Sequence, residues 1–270
     1  MRFPIGFNTG VNKDASPVQA DAVHINCRAP KKSVVQVHFP ARNMTLAYYN
    51  DAFDLHRGDI VYVDGKLEGL RGRVVEVNYT FKIKLSDYKR VIGVADTDVK
   101  GQFYMAGSHF VTFDPTALPF DKVNTWFNAP EKGEEYASGY DESFFSLNDL
   151  SGMKAQPQIV DRGHDYFLEN RVVYVCVDGF RGYAIIEGTK PYTVEFIYDN
   201  GEIRGLTCSC FCSGTCKHEV AAMLQLRETL ELIEKNFSAE HSKTDFFAAI
   251  SKATLFTFAI DTNESASFTL

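Results

Sequence analysis

The chain has 270 residues, of which 45% are apolar and 23% charged, with a formal net charge of -7. This is the composition of an ordinary soluble globular protein, long enough for one large domain or two modest ones. The opening MRFPIGFNTG lacks the apolar run of a secretory leader, and no stretch approaches the roughly 18 apolar residues of a membrane span. We therefore expect a cytoplasmic protein without membrane contact, in whose reducing surroundings six cysteines form no disulfide framework.

Taken in chain order, the first third reads as short strands. SVVQVHF (33–39), MTLAYYN (44–50), DIVYVDG (59–65), GRVVEVNYTFKIKL (72–85), RVIGVAD (90–96) and QFYMAGSHFVTF (102–113) are rich in β-branched and aromatic residues and separated by turn residues. They predict a small antiparallel barrel or sandwich over residues 1–115. From Tyr79 to Ser86 the alternation is strict, which would face Tyr79, Phe81, Ile83 and Leu85 inward and Lys82 and Lys84 outward. Residues 66–90 hold seven basic and three acidic side chains, among them Arg71, Arg73, Lys82, Lys84, Lys89 and Arg90. A patch of that sign can meet a phosphate backbone, and it can equally be a solvated sheet face. The run RGDIVYVDGKLEGLRGRVVEV, through Gly58, Asp59, Val61, Val63, Gly69, Gly72 and Val74, resembles the SH3-like barrels with KOW-type motifs of ribosomal and transcription proteins.

Residues 116–165 read as a linker. Residues 114–165 carry ten acidic and four basic side chains, most of the net charge, in a Gly-, Pro- and Ser-rich run without a sustained period. Trp126, Phe127, Tyr136, Tyr140, Phe144 and Phe145 are too many aromatics for a solvated tail, so this segment is expected to dock on a neighbour.

Beyond it come the strands RVVYVCV (171–177), YAIIEG (183–188), YTVEFIY (192–198) and EIRGLTC (202–208). Asp199-Asn200-Gly201 supplies a hairpin turn between the last two, because Asn-Gly accepts positive φ. A helix follows, with Met223, Leu226, Leu230, Ile233 and Phe237 on one stripe and Glu228, Glu231 and Lys235 opposite. Thr215 is the expected N-cap, which puts Cys216 and His218 in the first turn, where the helix dipole favours a thiolate. Four of the six cysteines and one of the seven histidines fall in the eleven positions 208–218. Donors spaced two apart, first on a strand end and then on a helix start, can close a tetrahedron. Three thiolates and one imidazole fill the shell of a Zn²⁺ ion and leave no position for water, the mark of a structural site.

Cys208-x-Cys210-x5-Cys216-x-His218, followed by the apolar helix of CKHEVAAML, resembles the SWIM zinc finger over roughly residues 166–235. The resemblance implies that Cys208, Cys210, Cys216 and His218 hold zinc on a strand-turn-helix unit, and that the module binds protein or DNA. Cys212 departs from the pattern. On an extended segment Cys208, Cys210 and Cys212 point the same way, so the pair Cys210 and Cys212 can bind with Cys208 spare; the family register favours Cys208 with Cys210. Cys27 and Cys176, and the histidines at 24, 38, 56, 109, 164 and 241, form no second donor set.

The expected fold class is thus α+β, mainly β: a small antiparallel barrel or sandwich (1–115), an acidic aromatic linker (116–165), a zinc-binding β-hairpin plus helix unit (166–237), and a C-terminal helix and hairpin (238–270). The sequence holds no P-loop, dinucleotide fingerprint, Gly-x-Ser-x-Gly elbow or His-Glu-x-x-His, and its cysteine spacing is not that of a zinc deaminase. No enzyme activity and no small-molecule substrate are expected. Residues 166–237 hold ten acids and seven bases, the wrong sign for binding driven by counterion release. The first expectation is a protein-interaction adaptor with zinc as its cofactor, in a nucleic-acid-associated system. The alternative is direct DNA or RNA binding through the basic patch of the first third.

Overall fold

A computed structural model describes residues 30–130, 144–210, 212–260 and 267–269. Cys27, His24, Tyr136 and Tyr140, singled out above, lie outside them. The fold is mainly β with several helices, in two large antiparallel sheets.

The first sheet contains β1 (Ser33–Phe39), β2 (Met44–Asn50), β3 (Ile60–Val63), β4 (Gly72–Asn78) and β5 (Val91–Val94), in the order β2-β1-β4-β3-β5. Alternate residues of β1 are buried, and Val35, Val37 and Phe39 pack with Tyr48, Leu55, Val61, Val63, Val74 and Val91 in a core of its own. Between the edge strands β2 and β5 there is no ladder among the described residues but the isolated parallel bridge of Tyr49 with Arg90, just before β5, where Tyr49 N–H donates to Lys89 O at 2.9 Å. The sheet therefore rolls toward itself without closing a continuous barrel ladder. Strand β4 ends at Asn78, and the alternating stretch 79–86 is not a strand. Asn78 Oδ1 accepts Thr80 N–H at 2.8 Å and turns the chain out of the ladder. Leu85–Asp87 is a short 3₁₀ turn.

The second sheet runs β7-β8-β14-β10-β11-β12-β13-β9. Its strands are β7 (Tyr104–Ala106), β8 (His109–Thr112), β9 (Phe144–Ser146), β10 (Val172–Asp178), β11 (Arg181–Glu187), β12 (Pro191–Asp199), β13 (Glu202–Cys208) and β14 (Phe246–Ser251). The short strand β6 (Lys100–Gln102) pairs in parallel with β15 (Ser267–Thr269). A boundary at residue 115 does not follow the hydrogen bonding, because β8 pairs with β14 from the far end of the chain. The turn and alternation signals around 102–113 identify strands but not their partners. Within residues 238–270, expected as a helix and then a hairpin, Phe246–Ser251 forms strand β14 and is followed by the one-turn helix α4 (Lys252–Leu255). The reason is burial. Every residue of β14 is buried, so the strand shows an unbroken apolar run from Phe246 to Ile250 whose periodicity does not distinguish strand from helix.

Residues alternate across the second sheet. Val175, Val177, Ala184, Val194, Phe196, Ile203, Phe247 and Ala249 face one core, whose lid is α2 (Pro157–Leu168) and α3 (Lys217–His241). Tyr174, Cys176, Ile185, Phe246, Ala248 and Ile250 face the other, shared with α1 (Phe120–Phe127), Leu255 and Phe258. The expected linker thus contains two helices, and the docking of its aromatics is concrete. Trp126 is fully buried, its Nε1–H donating to Asp96 O at 2.6 Å, and it stacks on Phe258 at 5.3 Å. This second core also takes Ile60 of β3 and Ala95 just beyond β5, which fastens the two sheets together.

Helix α3 sets the geometry of the lid. Its 25 residues span about 37 Å at about 1.5 Å per residue, enough to cross the six strand intervals from β13 to β7, about 29 Å. It enters beside β13 and leaves past a kink at Phe237, whose ring lies 5.1 Å from Tyr104 of β7. Helix α2 packs beside it through Gly163, where an added Cβ would lie 2.5 Å from Val220 Cβ and 3.0 Å from Lys217 O.

Two stability predictions follow from this packing. Gly163→Ala gains up to about 1 kcal/mol of helix propensity but overpacks against Val220 and Lys217, and a net loss of about 1–2 kcal/mol is expected in denaturant titration; an increase would show that α2 is free to move away. The buried His109 donates from Nε2–H to Val172 O at 2.8 Å, with Ser108 Oγ 3.0 Å from Nδ1. Burial first, with Lys252 nearby, pushes its pKa down to about 4 against the Val172 bond. The unfolded chain therefore takes up a proton below about pH 6.5 that the folded chain refuses until about pH 4, so stability falls with pH across that window by on the order of 3 kcal/mol. His109→Gln, which can keep the bond to Val172, should flatten this acid limb; an unchanged slope would contradict the assignment.

Candidate metal centre

Strand β13 is held to β12 by pairing of Cys208 with Val194, and the chain stays attached for one residue beyond it. Ser209 N–H donates to Thr193 O, and Thr193 N–H donates to Ser209 Oγ, each at 2.9 Å. These bonds fix the direction in which Cys208 and Cys210 leave the sheet. On the other side the N-cap is Cys216, one residue later than the expected Thr215. Cys216 N–H donates to Glu219 Oε2 at 2.7 Å in a capping box, while Thr215 Oγ1–H donates to Met153 O at 2.8 Å. The cap shifts because Thr215 spends its hydroxyl on another segment. His218 falls in the first turn with its ring stacked on Tyr192 at 4.1 Å and edge-on to Tyr166 at 5.6 Å.

These elements bring Cys208 Sγ, Cys210 Sγ, Cys216 Sγ and one ring nitrogen of His218 within 4.8 Å of one another, a cluster that can hold a metal ion. His218 Nδ1 lies 3.7 Å from both Cys208 Sγ and Cys216 Sγ. A tetrahedron with metal–sulfur bonds of about 2.3 Å and a metal–nitrogen bond of about 2.0 Å has S···N edges of about 3.5 Å, so the donors stand at nearly the separation such an ion requires. Cys216 and His218 are buried, Cys208 and Cys210 half-buried. Cys212 falls outside this set of four: it is exposed, and its Sγ touches Cys210 Sγ at 3.2 Å.

Among the protein groups alone the crowding is severe. A hydrogen bond from Cys208, helped by His218 and Glu219 N–H, pulls the Cys216 thiol down to about 4 against the effect of burial. The same bond to Cys216, then burial, pushes Cys208 far up, and burial followed by Cys212 pushes Cys210 up to about 12. A divalent cation at the centre would favour the thiolate form of all three sulfurs.

The basic residues of the first third differ in their surroundings. Arg71 is drawn inward, its Nη1–H donating to Trp126 O at 3.4 Å and its guanidinium lying over Phe127 and Phe258. Arg90 is paired with Asp51 and lies over Tyr49. Arg73 is half-buried on β4, while Lys82, Lys84 and Lys89 are exposed, the first two on the irregular stretch after β4. The ring contacts of Tyr192 and Tyr166 with His218 had no signal in the sequence; Glu219 did, as the residue three past an N-cap. Compared with protein-family models, curated proteins and solved structures, the chain matches none.

Metal binding to the cluster should dominate the stability of the second sheet. A strong chelator, or Cys216→Ser, is expected to remove on the order of 10 kcal/mol and to abolish the thermal transition of the α3 lid. Because the sulfur donors bind as thiolates, and Cys208 and Cys210 must lose protons to do so, metal affinity should fall as pH falls. Melting curves that ignore chelator and substitution alike would contradict a structural metal.

Proposed function

We propose that this chain is a non-catalytic, zinc-stabilised protein-interaction module of the SWIM finger kind, acting as an adaptor in a nucleic-acid-associated system. The observation that carries the reading is the closed set of Cys208, Cys210, Cys216 and His218 at the junction of β13 and α3. Four protein donors of this kind satisfy zinc without water, so the ion serves as a clamp. The spacing of the four is also what resembles the SWIM pattern, and the strand-turn-helix setting agrees with it.

A surface suited to a protein partner lies on the strand that the clamp holds. Across β9, β13, β12 and β11, directly opposed residues make the row Phe144, Arg204, Ile197, Arg181. Phe144 is 57% exposed, Ile197 45%, and Phe180 at the neighbouring turn 66%, with the Arg204 guanidinium over the Phe144 ring. Aromatic and arginine side chains together are the composition of interface hot spots. The outer face of α3 carries Glu228, Glu231 and Glu234 against Arg227 and Lys235, which disfavours phosphate.

Purified protein should carry one zinc, show no salt-dependent affinity for DNA or RNA, and crosslink to a protein partner through the row containing Phe144 and Ile197. The pair Phe144→Glu and Ile197→Glu should weaken that partner at least about tenfold. Nucleic-acid affinity that falls steeply with salt and is lost on charge reversal of Lys82 and Lys84 would overturn this reading in favour of the exposed lysines.

A further inference from the structure

The cluster takes three of the four cysteines between 208 and 216 and leaves Cys212 over. The spare thiol is not remote. Its Sγ lies 3.2 Å from Sγ of Cys210, which like Cys208 is half-buried, while Cys216 and His218 are buried. Cys208 is fixed within the β13 ladder, whereas Cys212 lies beyond the ladder, exposed, in a segment whose Gly214 has open space around it. The solvent side of the centre is thus formed by two sulfurs in contact, of which the ion needs one.

Resting on the zinc reading above, we propose that Cys210 and Cys212 are an oxidative modification site: a hydroperoxide converts them to a disulfide and so withdraws one of the four metal donors. The Cys212 thiol gives up its proton and attacks the peroxide oxygen as the thiolate, the O–O bond breaks, and Cys212 becomes a sulfenic acid as the leaving oxygen takes up that proton and departs as an alcohol, or as water from hydrogen peroxide. The Cys210 thiolate, released from the ion, then attacks Cys212 sulfur, forming the S–S bond and expelling hydroxide. Two electrons pass from the two sulfurs to the peroxide. The sulfurs must close from 3.2 Å to about 2.05 Å, a side-chain movement. A disulfide spanning one intervening residue at an exposed position is of the strained, reducible kind, so a dithiol restores the donor. With three donors left, the ion is lost and the start of α3 loses its tie to β13.

The test uses the full chain, its zinc content measured first, treated with hydrogen peroxide while a chromophoric chelator reports released zinc. The peptide 205–217, bounded by Arg204 and Lys217, holds all four cysteines and is read by mass spectrometry. We expect zinc release together with a loss of about 2 Da assigned to a Cys210–Cys212 bond, both reversed by dithiothreitol. Cys212→Ser should keep its zinc and release it at least about tenfold more slowly. Equal release rates, or a disulfide joining any other pair, would overturn the proposal. If the starting protein holds no zinc, the metal reading fails by itself, and the disulfide measurement still decides whether the two thiols are a reactive pair.

Discussion

Three sulfurs and one imidazole nitrogen meet where a strand ends and a helix begins, and a cation among them would let all four take their metal-binding form. Thiolates crowded this closely repel, and half-burial removes the water that would otherwise screen them. A metal bound there would tie the start of α3 to the end of β13. The helix begins at Cys216 beside that strand end and runs back over the sheet, and its length covers the strands as far as β7.

The consequences spread through packing. Helix α2 fits against α3 only because Gly163 leaves room for Val220, so both lid helices register on the same anchored turn. Beneath the lid, the alternation of β10 and β14 passes the constraint to the second core, where Trp126 and Phe258 stack and Arg71 of the first sheet reaches in over the rings. The first sheet has its own core and keeps its own integrity. The row of Phe144, Arg204 and Ile197 lies toward the opposite end of β13 from the cluster, so the clamp and the exposed surface share one strand.

The cluster that could hold a metal was legible in the sequence because its chemistry is local: eleven consecutive positions contain all four side chains, and the Asn200-Gly201 hairpin and the stripe from Met223 to Phe237 place them on a strand end and a helix start. The mainly β character was legible from β-branched runs for the same reason. What was not legible depends on distant partners. Pairing of β8 with β14 joins residues about 140 positions apart. The burial of β14 on both faces erased the alternation that would have marked it as a strand, and Asn78 diverted an apparently regular alternation into a loop with one side-chain bond. Arg71 looked like a surface cation because nothing local reveals that Trp126 and Phe258 will be its neighbours.

X-ray absorption at the zinc edge of the purified, unoxidised protein reads whether one ion is enclosed by sulfur and nitrogen alone. One zinc per chain is expected, with three sulfur neighbours at about 2.3 Å, one nitrogen at about 2.0 Å, and no oxygen. A chain without zinc, or a zinc carrying a bound water, would contradict it.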